Sequence, residues 1–67
     1  MLMVDKNSIY IKDYQKIIFM DSNTLKIEML NYCLNVHGRN LEIEYYDHEE
    51  IRMKGQLQVI KYDEGRV

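Results

Sequence analysis

The densest group of side chains that could act on a substrate in this sequence is acidic. Two carboxylates at a suitable separation can act as the general acid and the general base of a hydrolase. Arg52 and Lys54 follow at the same alternating spacing, however, and the interpretation we favour is ion pairing along a solvated strand face. We therefore predict no catalytic residues and no enzymatic activity. The acidic group consists of Glu42, Glu44, Glu49 and Glu50.

Residue types that bind metal ions also occur, but their spacing does not fit a metal site. Cys33 and His37 lie beside one expected turn, and Asp47 and His48 lie in another. The sequence has no CxxC or HxxxH spacing of the kind that zinc sites use. Cys33 also has no activating neighbour, and we interpret it as a small, half-buried side chain. We therefore predict no metal and no cofactor.

Six tyrosines in so short a chain indicate a contact surface. On compact β-barrels, tyrosines stack against the bases of single-stranded nucleic acid. Tyrosine is also enriched at protein–protein interfaces, and the acidic residues around Tyr45 and Tyr46 would repel phosphates. The formal net charge of −2 likewise favours a protein partner, so no nucleic acid is expected. The tyrosines are Tyr10, Tyr14, Tyr32, Tyr45, Tyr46 and Tyr62.

The length of 67 residues allows one small domain, residues 1–67. A domain of this size buries only ~60% of the surface that its unfolded chain exposes, so its core needs a supplement. One cysteine excludes an internal disulfide, and we therefore expect self-association. No apolar run approaches the ~20 residues that span a bilayer. We expect a cytoplasmic protein with flexible tails at residues 1–7 and 63–67.

Apolar residues recur at every second position between residues 31 and 60, which predicts strands with one buried face. We predict a two-residue turn at Gly38 and Arg39, because glycine suits the first position of a type II′ turn. That turn pairs Val36 with Leu41, and two more pairs follow along the hairpin. They are Leu34 with Ile43 and Tyr32 with Tyr45.

Two further turns follow from the same two-residue alternation, and Gly55 allows two interpretations. A turn around Asn31 places Met29 opposite Leu34 and Ile27 opposite Val36. Residues 47–49 connect two strands and pair Tyr45 with Ile51, Ile43 with Met53, Glu44 with Arg52 and Glu42 with Lys54. Gly55 allows either a turn or a bend within one long strand, and we favour the bend.

The first half of the chain predicts further strands. Residues 8–12 alternate, with Ile9 and Ile11 on one face. Residues 16–20 are almost continuously apolar, which indicates a strand buried on both faces or covered by a partner. Residues 24–33 alternate as a strand would, yet they contain good helix formers, so a helix is the alternative.

Two stretches in the second half combine glycines and apolar residues at fixed offsets. They are Leu34-x-Val36-x-Gly38-x-Asn40-Leu41-x-Ile43 and Ile51-x-Met53-x-Gly55-x-Leu57-x-x-Ile60-x-Tyr62. With Ile9-x-Ile11, Tyr14-x-x-Ile17-x-x-Met20-Asp21 and Leu25-x-Ile27, they resemble the YabP/YqfC family of sporulation proteins from endospore-forming Firmicutes. Asp13 and Tyr32 stand where that family often has glycine.

The resemblance implies a small mother-cell protein that is needed for spore formation and works with a membrane-associated or spore-coat partner. It implies no catalytic residues. With the strand pattern, it predicts an all-β fold, a small antiparallel sheet or sandwich of about six or seven short strands completed by dimerisation. The predicted function is a non-enzymatic interaction module, and the alternative is a small β-barrel that binds single-stranded nucleic acid. The predicted interface residues are Tyr32, Tyr45, Ile18 and Met20.

Overall fold

The computed structural model describes residues 1–64, and those residues form six strands and no helix. All the strand pairs are antiparallel, so the predicted all-β antiparallel fold is confirmed. The helical alternative for residues 24–33 is wrong, because that segment opens with a strand. The strands are β1 (Leu2–Asp5), β2 (Ser8–Lys12), β3 (Lys16–Met20), β4 (Thr24–Glu28), β5 (Cys33–Tyr46) and β6 (Glu50–Asp63).

One sheet contains all six strands in the order β1-β2-β6-β5-β4-β3. The two 14-residue strands, β5 and β6, pair with each other along most of their length. β2 lies on the other side of β6 and pairs with residues 50–54 of that strand. β4 lies on the other side of β5 and pairs with residues 33–37 of that strand. Side chains from both ends of the sheet nonetheless share one core. The sheet therefore folds over on itself into two layers.

The core consists of the apolar residues that alternate along each strand, as the two-residue period predicts. Ile9 and Ile11 come from β2, and they meet Ile51 and Met53 of β6 directly across the ladder. Burying a side chain of this size stabilises the fold by about 1.5–3 kcal/mol relative to leaving it exposed. The core cluster is Ile9, Ile11, Leu25, Ile27, Met29, Leu34, Val36, Leu41, Ile51 and Met53.

Gly38 and Arg39 do not form a turn, so that prediction is wrong. β5 runs through both residues, and a Cβ atom on Gly38 would lie 2.1 Å from the carbonyl oxygen of Gln56. Glycine is needed at this position because β6 approaches so closely, and not because the chain reverses. The hairpin pairs predicted from the turn are wrong as well: Val36 pairs with Ile60, and Leu34 pairs with Tyr62.

Gly55 lies within β6, which confirms the bent strand and excludes the turn. Its φ of 142° is one that residues with a Cβ rarely adopt. Opposite it, β5 has two residues, Asn40 and Leu41, where β6 has one, and Asn40 also has a positive φ of 55°. This bulge bends both long strands near their middle and lets the sheet fold into two layers.

The two remaining turns lie close to where the sequence predicts them. Asn31 lies in the β4–β5 turn, but Ile27 pairs with Leu34, so the predicted register there is wrong by two residues. Residues 47–49 connect β5 and β6, and the pairs Ile43–Met53 and Glu42–Lys54 are confirmed. A bulge at Glu44 shifts the register of the rest of this hairpin, so that Tyr45 pairs with Arg52 and Tyr46 pairs with Ile51. The predicted Tyr45–Ile51 and Glu44–Arg52 pairs are therefore wrong.

The two ends of the chain differ from the expected tails where the structure describes them. Residues 2–5 form β1, which pairs with β2 along its whole length. At the other end, Asp63 is the last residue of β6, whereas residues 65–67 lie outside the described residues. The sequence predicts that β3 is buried on both faces or covered by a partner. It is an edge strand, and its Phe19 is 51% exposed.

Candidate interaction surface

A row of four side chains crosses the outer face of the layer that contains β1 and β2. Met3 pairs with Tyr10, Tyr10 with Arg52, and Arg52 with Tyr45, so the row spans β1, β2, β6 and β5. These residues face away from the core because they alternate with buried neighbours such as Ile9 and Ile51. We call Met3, Tyr10, Arg52 and Tyr45 the outer row. Met3 and Tyr45 are 59% and 52% exposed.

The aromatic and basic members of the outer row contact one another. The guanidinium carbon of Arg52 lies 5.3 Å from the centroid of the Tyr10 ring, within the range of a cation–π interaction. The Tyr10 hydroxyl donates a hydrogen bond to Oε1 of Glu50 at 3.0 Å. Burial, together with this bond, raises the pKa of Tyr10 above its ordinary value. The row also borders an open depression of about 590 Å³ that Glu44 and Ser8 help to line.

The β5–β6 turn holds the other end of the outer row in place. Oδ1 of Asp47 accepts hydrogen bonds from the backbone N–H groups of Glu49 and Glu50 at 2.8 and 2.9 Å, which closes the turn. Its Oδ2 accepts the Tyr45 hydroxyl at 2.8 Å. These bonds lower the pKa of Asp47, with the one from Glu49 contributing most, and the bond to Asp47 raises the pKa of Tyr45. The Tyr14 hydroxyl donates to the carbonyl oxygen of Asp47.

The side chains with metal-binding or acid–base chemistry do not come together. Glu42 forms an ion pair with Lys54 at 3.6 Å, as its register predicts. Cys33 is buried, whereas His37 is exposed and His48 contacts Glu49 in the turn. Within residues 1–64, no three His, Cys, Asp or Glu side chains are grouped so that they could hold a metal ion.

The four residues predicted as an interface lie in three separate places. Tyr32 contacts Tyr62, with ring centroids 5.3 Å apart and the rings tilted by 39°, and does not face Tyr45 as predicted. Tyr45 belongs to the outer row. Ile18 is the bulged residue of β3, and Met20, which is 38% exposed, ends that strand.

Sequence reasoning includes Tyr10 among the tyrosines of a contact surface, but it assigns no such role to Met3 or Arg52 and does not predict β1. The sequence predicts a tail at residues 1–7, although Leu2 and Val4 alternate with Met3 as Ile9 and Ile11 alternate with Tyr10, and they pair with Ile11 and Ile9. That alternation was the available signal for a strand at residues 2–5. Val4 is 52% exposed, so β1 presents apolar side chains on both of its faces at one edge of the sheet.

The comparisons with known proteins identify a family. The described residues contain no helix long and apolar enough to cross a membrane. No curated protein and no solved structure matches the chain. The model of the YabP family matches residues 1–67, the whole sequence. The chain therefore belongs to the YabP family.

Proposed function

We propose that this chain is a non-enzymatic β interaction module that is required for endospore formation and acts through protein–protein contacts. The observation that carries this proposal is the match to the YabP family along the whole chain, which is consistent with a sporulation-related role. In this proposal the protein is a homodimer in the mother-cell cytoplasm. Its further partner is a membrane-associated or spore-coat protein.

The composition of the outer row supports a protein partner. Tyrosine, arginine and methionine are enriched at protein–protein interfaces, and tyrosine and arginine are also enriched among the residues whose truncation weakens binding most. Tyr10 and Tyr45 are already held by hydrogen bonds to Glu50 and Asp47. A partner that binds here therefore orders few additional side chains, which lowers the entropic cost of association.

The same contacts disfavour single-stranded nucleic acid as the partner. Both hydroxyls donate to carboxylates, and Glu44 lies beside Tyr10 and Arg52. Negative charge at these positions repels a phosphate backbone, which nucleic-acid-binding surfaces normally attract with lysine and arginine. The remaining four tyrosines are not on the outer row. Tyr32 and Tyr62 contact each other, Tyr14 donates a hydrogen bond to the β5–β6 turn, and Tyr46 pairs with Ile51.

Deletion of the gene in the source bacterium tests the sporulation role. We expect the deletion strain to form at least tenfold fewer heat-resistant spores, and a copy of the gene restored at another locus to rescue them. A deletion strain that sporulates normally would contradict the proposal. Capture of the protein from sporulating cells should then recover a membrane or coat protein, and recovery of nucleic acid instead would support the alternative.

A further inference from the structure

We propose that two copies of this chain pair antiparallel through the free edges of their β1 strands, with Met3 facing Met3 of the second copy. The pairing joins the two sheets into one continuous sheet. This proposal rests on the proposed assembly function and goes further by naming the second copy, the strand and the register.

The backbone of β1 leaves a defined set of hydrogen-bonding groups at the edge of the sheet. The N–H of Lys12 donates to the carbonyl of Met1, and the amino group of Met1 donates to the carbonyl of Lys12, both at 2.7 Å. Hydrogen-bonded pairs alternate along an antiparallel ladder, so Met3 and Asp5 also direct their backbone groups toward β2. Leu2 and Val4 consequently direct theirs toward the free edge. Among the described residues, no strand pairs with that edge.

A twofold axis through the Met3 pair satisfies all of these groups. In an antiparallel pairing centred on Met3, Leu2 faces Val4 of the second copy, and Val4 faces Leu2. Each of these is then a hydrogen-bonded pair, and the N–H and C=O groups of both residues find partners in the other copy. The interface is isologous, as in most homodimers, because the same strand contributes from both sides.

The side chains match in this register as well as the backbone does. Leu2 and Val4 face the core side, where they pair with Ile11 and Ile9, and Val4 is 52% exposed in the single chain. The pairing places apolar residues opposite apolar residues on that face. Cross-strand pairs of this kind stabilise a sheet. On the outer face, Met3, which is 59% exposed, meets its equivalent beside Tyr10.

The charges at the ends of β1 favour the antiparallel direction. Asp5 is on the outer face, and the pairing places it opposite Met1 of the second copy. Met1 pairs with Lys12 on the neighbouring strand, so each Asp5 carboxylate lies on the same face of the sheet as a lysine of the other copy. A parallel pairing would place the two Asp5 carboxylates side by side, which is unfavourable.

The two edges of the sheet differ in how they are protected against pairing. β3, at one edge, has a bulge at Ile18 and begins with Lys16, and both features hinder the addition of a strand. β1 pairs with β2 in one uninterrupted register and has no charged side chain before Asp5. Of the two edge strands, β1 is therefore the one that can pair with a further strand.

The surface beside β1 is large enough to contribute to a dimer. A stable interface buries about 800 Å² on each partner, whereas the whole chain exposes 4635 Å². Four residues of β1 cannot supply that area alone. A groove of about 350 Å³ separates Val4 from the second half of β6, where Leu57, Val59 and Ile60 line it. The second copy covers this groove in addition to the strand edge.

Disulfide trapping at the twofold axis tests the register directly. Residues that face each other in a non-hydrogen-bonded antiparallel pair have Cα atoms about 4.5 Å apart, which a disulfide can bridge. Met3→Cys, oxidised with glutathione disulfide, should form a species of twice 8.1 kDa that a reductant reverses. Phe19→Cys is the matched control, because Phe19 is 51% exposed on the opposite edge strand. Cys33 is buried and contributes no background. Cross-linking of Met3→Cys no faster than that of Phe19→Cys would overturn the proposal.

A proline at residue 4 tests the hydrogen bonds of the free edge. Val4→Pro removes an N–H that points away from β2, so the β1–β2 ladder keeps its bonds. In sedimentation, we expect the natural chain to be a dimer, Val4→Ala to remain one, and Val4→Pro to sediment at 8.1 kDa with an unchanged circular dichroism spectrum. If Val4→Pro loses that spectrum, the trapping experiment decides.

The outcomes separate this proposal from the proposed function. A dimer that survives Val4→Pro overturns the β1 interface but leaves self-association intact. A natural chain that sediments at 8.1 kDa at all concentrations overturns both the interface and the homodimer. Neither result affects the spore count of the deletion strain, which tests the sporulation role separately.

Discussion

The hydroxyl of Tyr45 donates a hydrogen bond to the carboxylate of Asp47 at 2.8 Å, and the other oxygen of that carboxylate closes the β5–β6 turn. The side chain of Asp47 therefore both stabilises the turn and holds Tyr45, at one end of the outer row, in position. The arrangement connects a local feature of the sequence, an aspartate at a turn, to the surface that we propose for protein contacts.

Acid should weaken the fold partly through Asp47. Its pKa is lowered below the ordinary value of 3.8, chiefly by the backbone N–H of Glu49, so the folded state favours the ionised carboxylate. That stability is present above the unfolded pKa and is lost as the pH falls through the folded pKa. We expect Tm to fall as the pH is lowered past 3.8 and through the folded pKa of Asp47, and to fall less in Asp47→Asn. An identical acid dependence in Asp47→Asn would show that the turn carboxylate does not stabilise the fold.

Alkali should weaken the fold through Tyr45. Its pKa is raised above 10.0, mainly because its hydroxyl donates to Asp47, so the folded state favours the protonated phenol. That stability is complete below the unfolded pKa and is lost as the pH rises through the folded pKa. Ultraviolet titration of the phenolate should show one fewer late-ionising tyrosine in Tyr45→Phe. Loss of an early-ionising group instead would contradict the hydrogen bond.

Gly38→Ala should destabilise the protein by about 3 kcal/mol, because the new Cβ meets a backbone oxygen of β6 that cannot move without breaking the ladder. A Cβ there would lie 2.1 Å from the carbonyl oxygen of Gln56. The urea midpoint measures this change, and Gln58→Ala, at an exposed position of β6, is the control. Equal midpoints for the two variants would mean that the strands do not approach as closely as described.

The alternation of residues predicts the strands well, because burial on one face imposes a period of two. It locates β2 and β3 with their observed bounds and predicts the Ile43–Met53 register. It fails at Gly38, because glycine serves a turn and a close strand approach equally well. The deciding neighbour, Gln56, is far away in the sequence.

The outer row was mostly beyond prediction from the sequence, for a similar reason. The sequence predicts Tyr45 as an interface residue and Tyr10 as part of a tyrosine surface. Met3, Tyr10 and Arg52 join Tyr45 in one row only because β2 pairs with β6 and β1 pairs with β2. Strand order depends on contacts between distant parts of the chain, and alternation within each strand does not determine it. The alternation of Leu2 and Val4, which matches that of Ile9 and Ile11, was the one indication in the sequence that β1 pairs with β2.

The central claim is that the outer row contacts another protein during sporulation, and reversal of one charge tests it. Arg52→Glu places a carboxylate beside Glu50 and removes the contact with the Tyr10 ring, while leaving the core untouched. Lys61→Glu is the matched control, because it makes the same charge change at an exposed position of the same strand, where β6 pairs with the first half of β5.

The direct measurement is the number of heat-resistant spores formed by strains that carry each variant as the only copy, with Tm confirming that both proteins fold. We predict at least a tenfold loss for Arg52→Glu and none for Lys61→Glu. Normal spore numbers with a folded Arg52→Glu protein would contradict the claim.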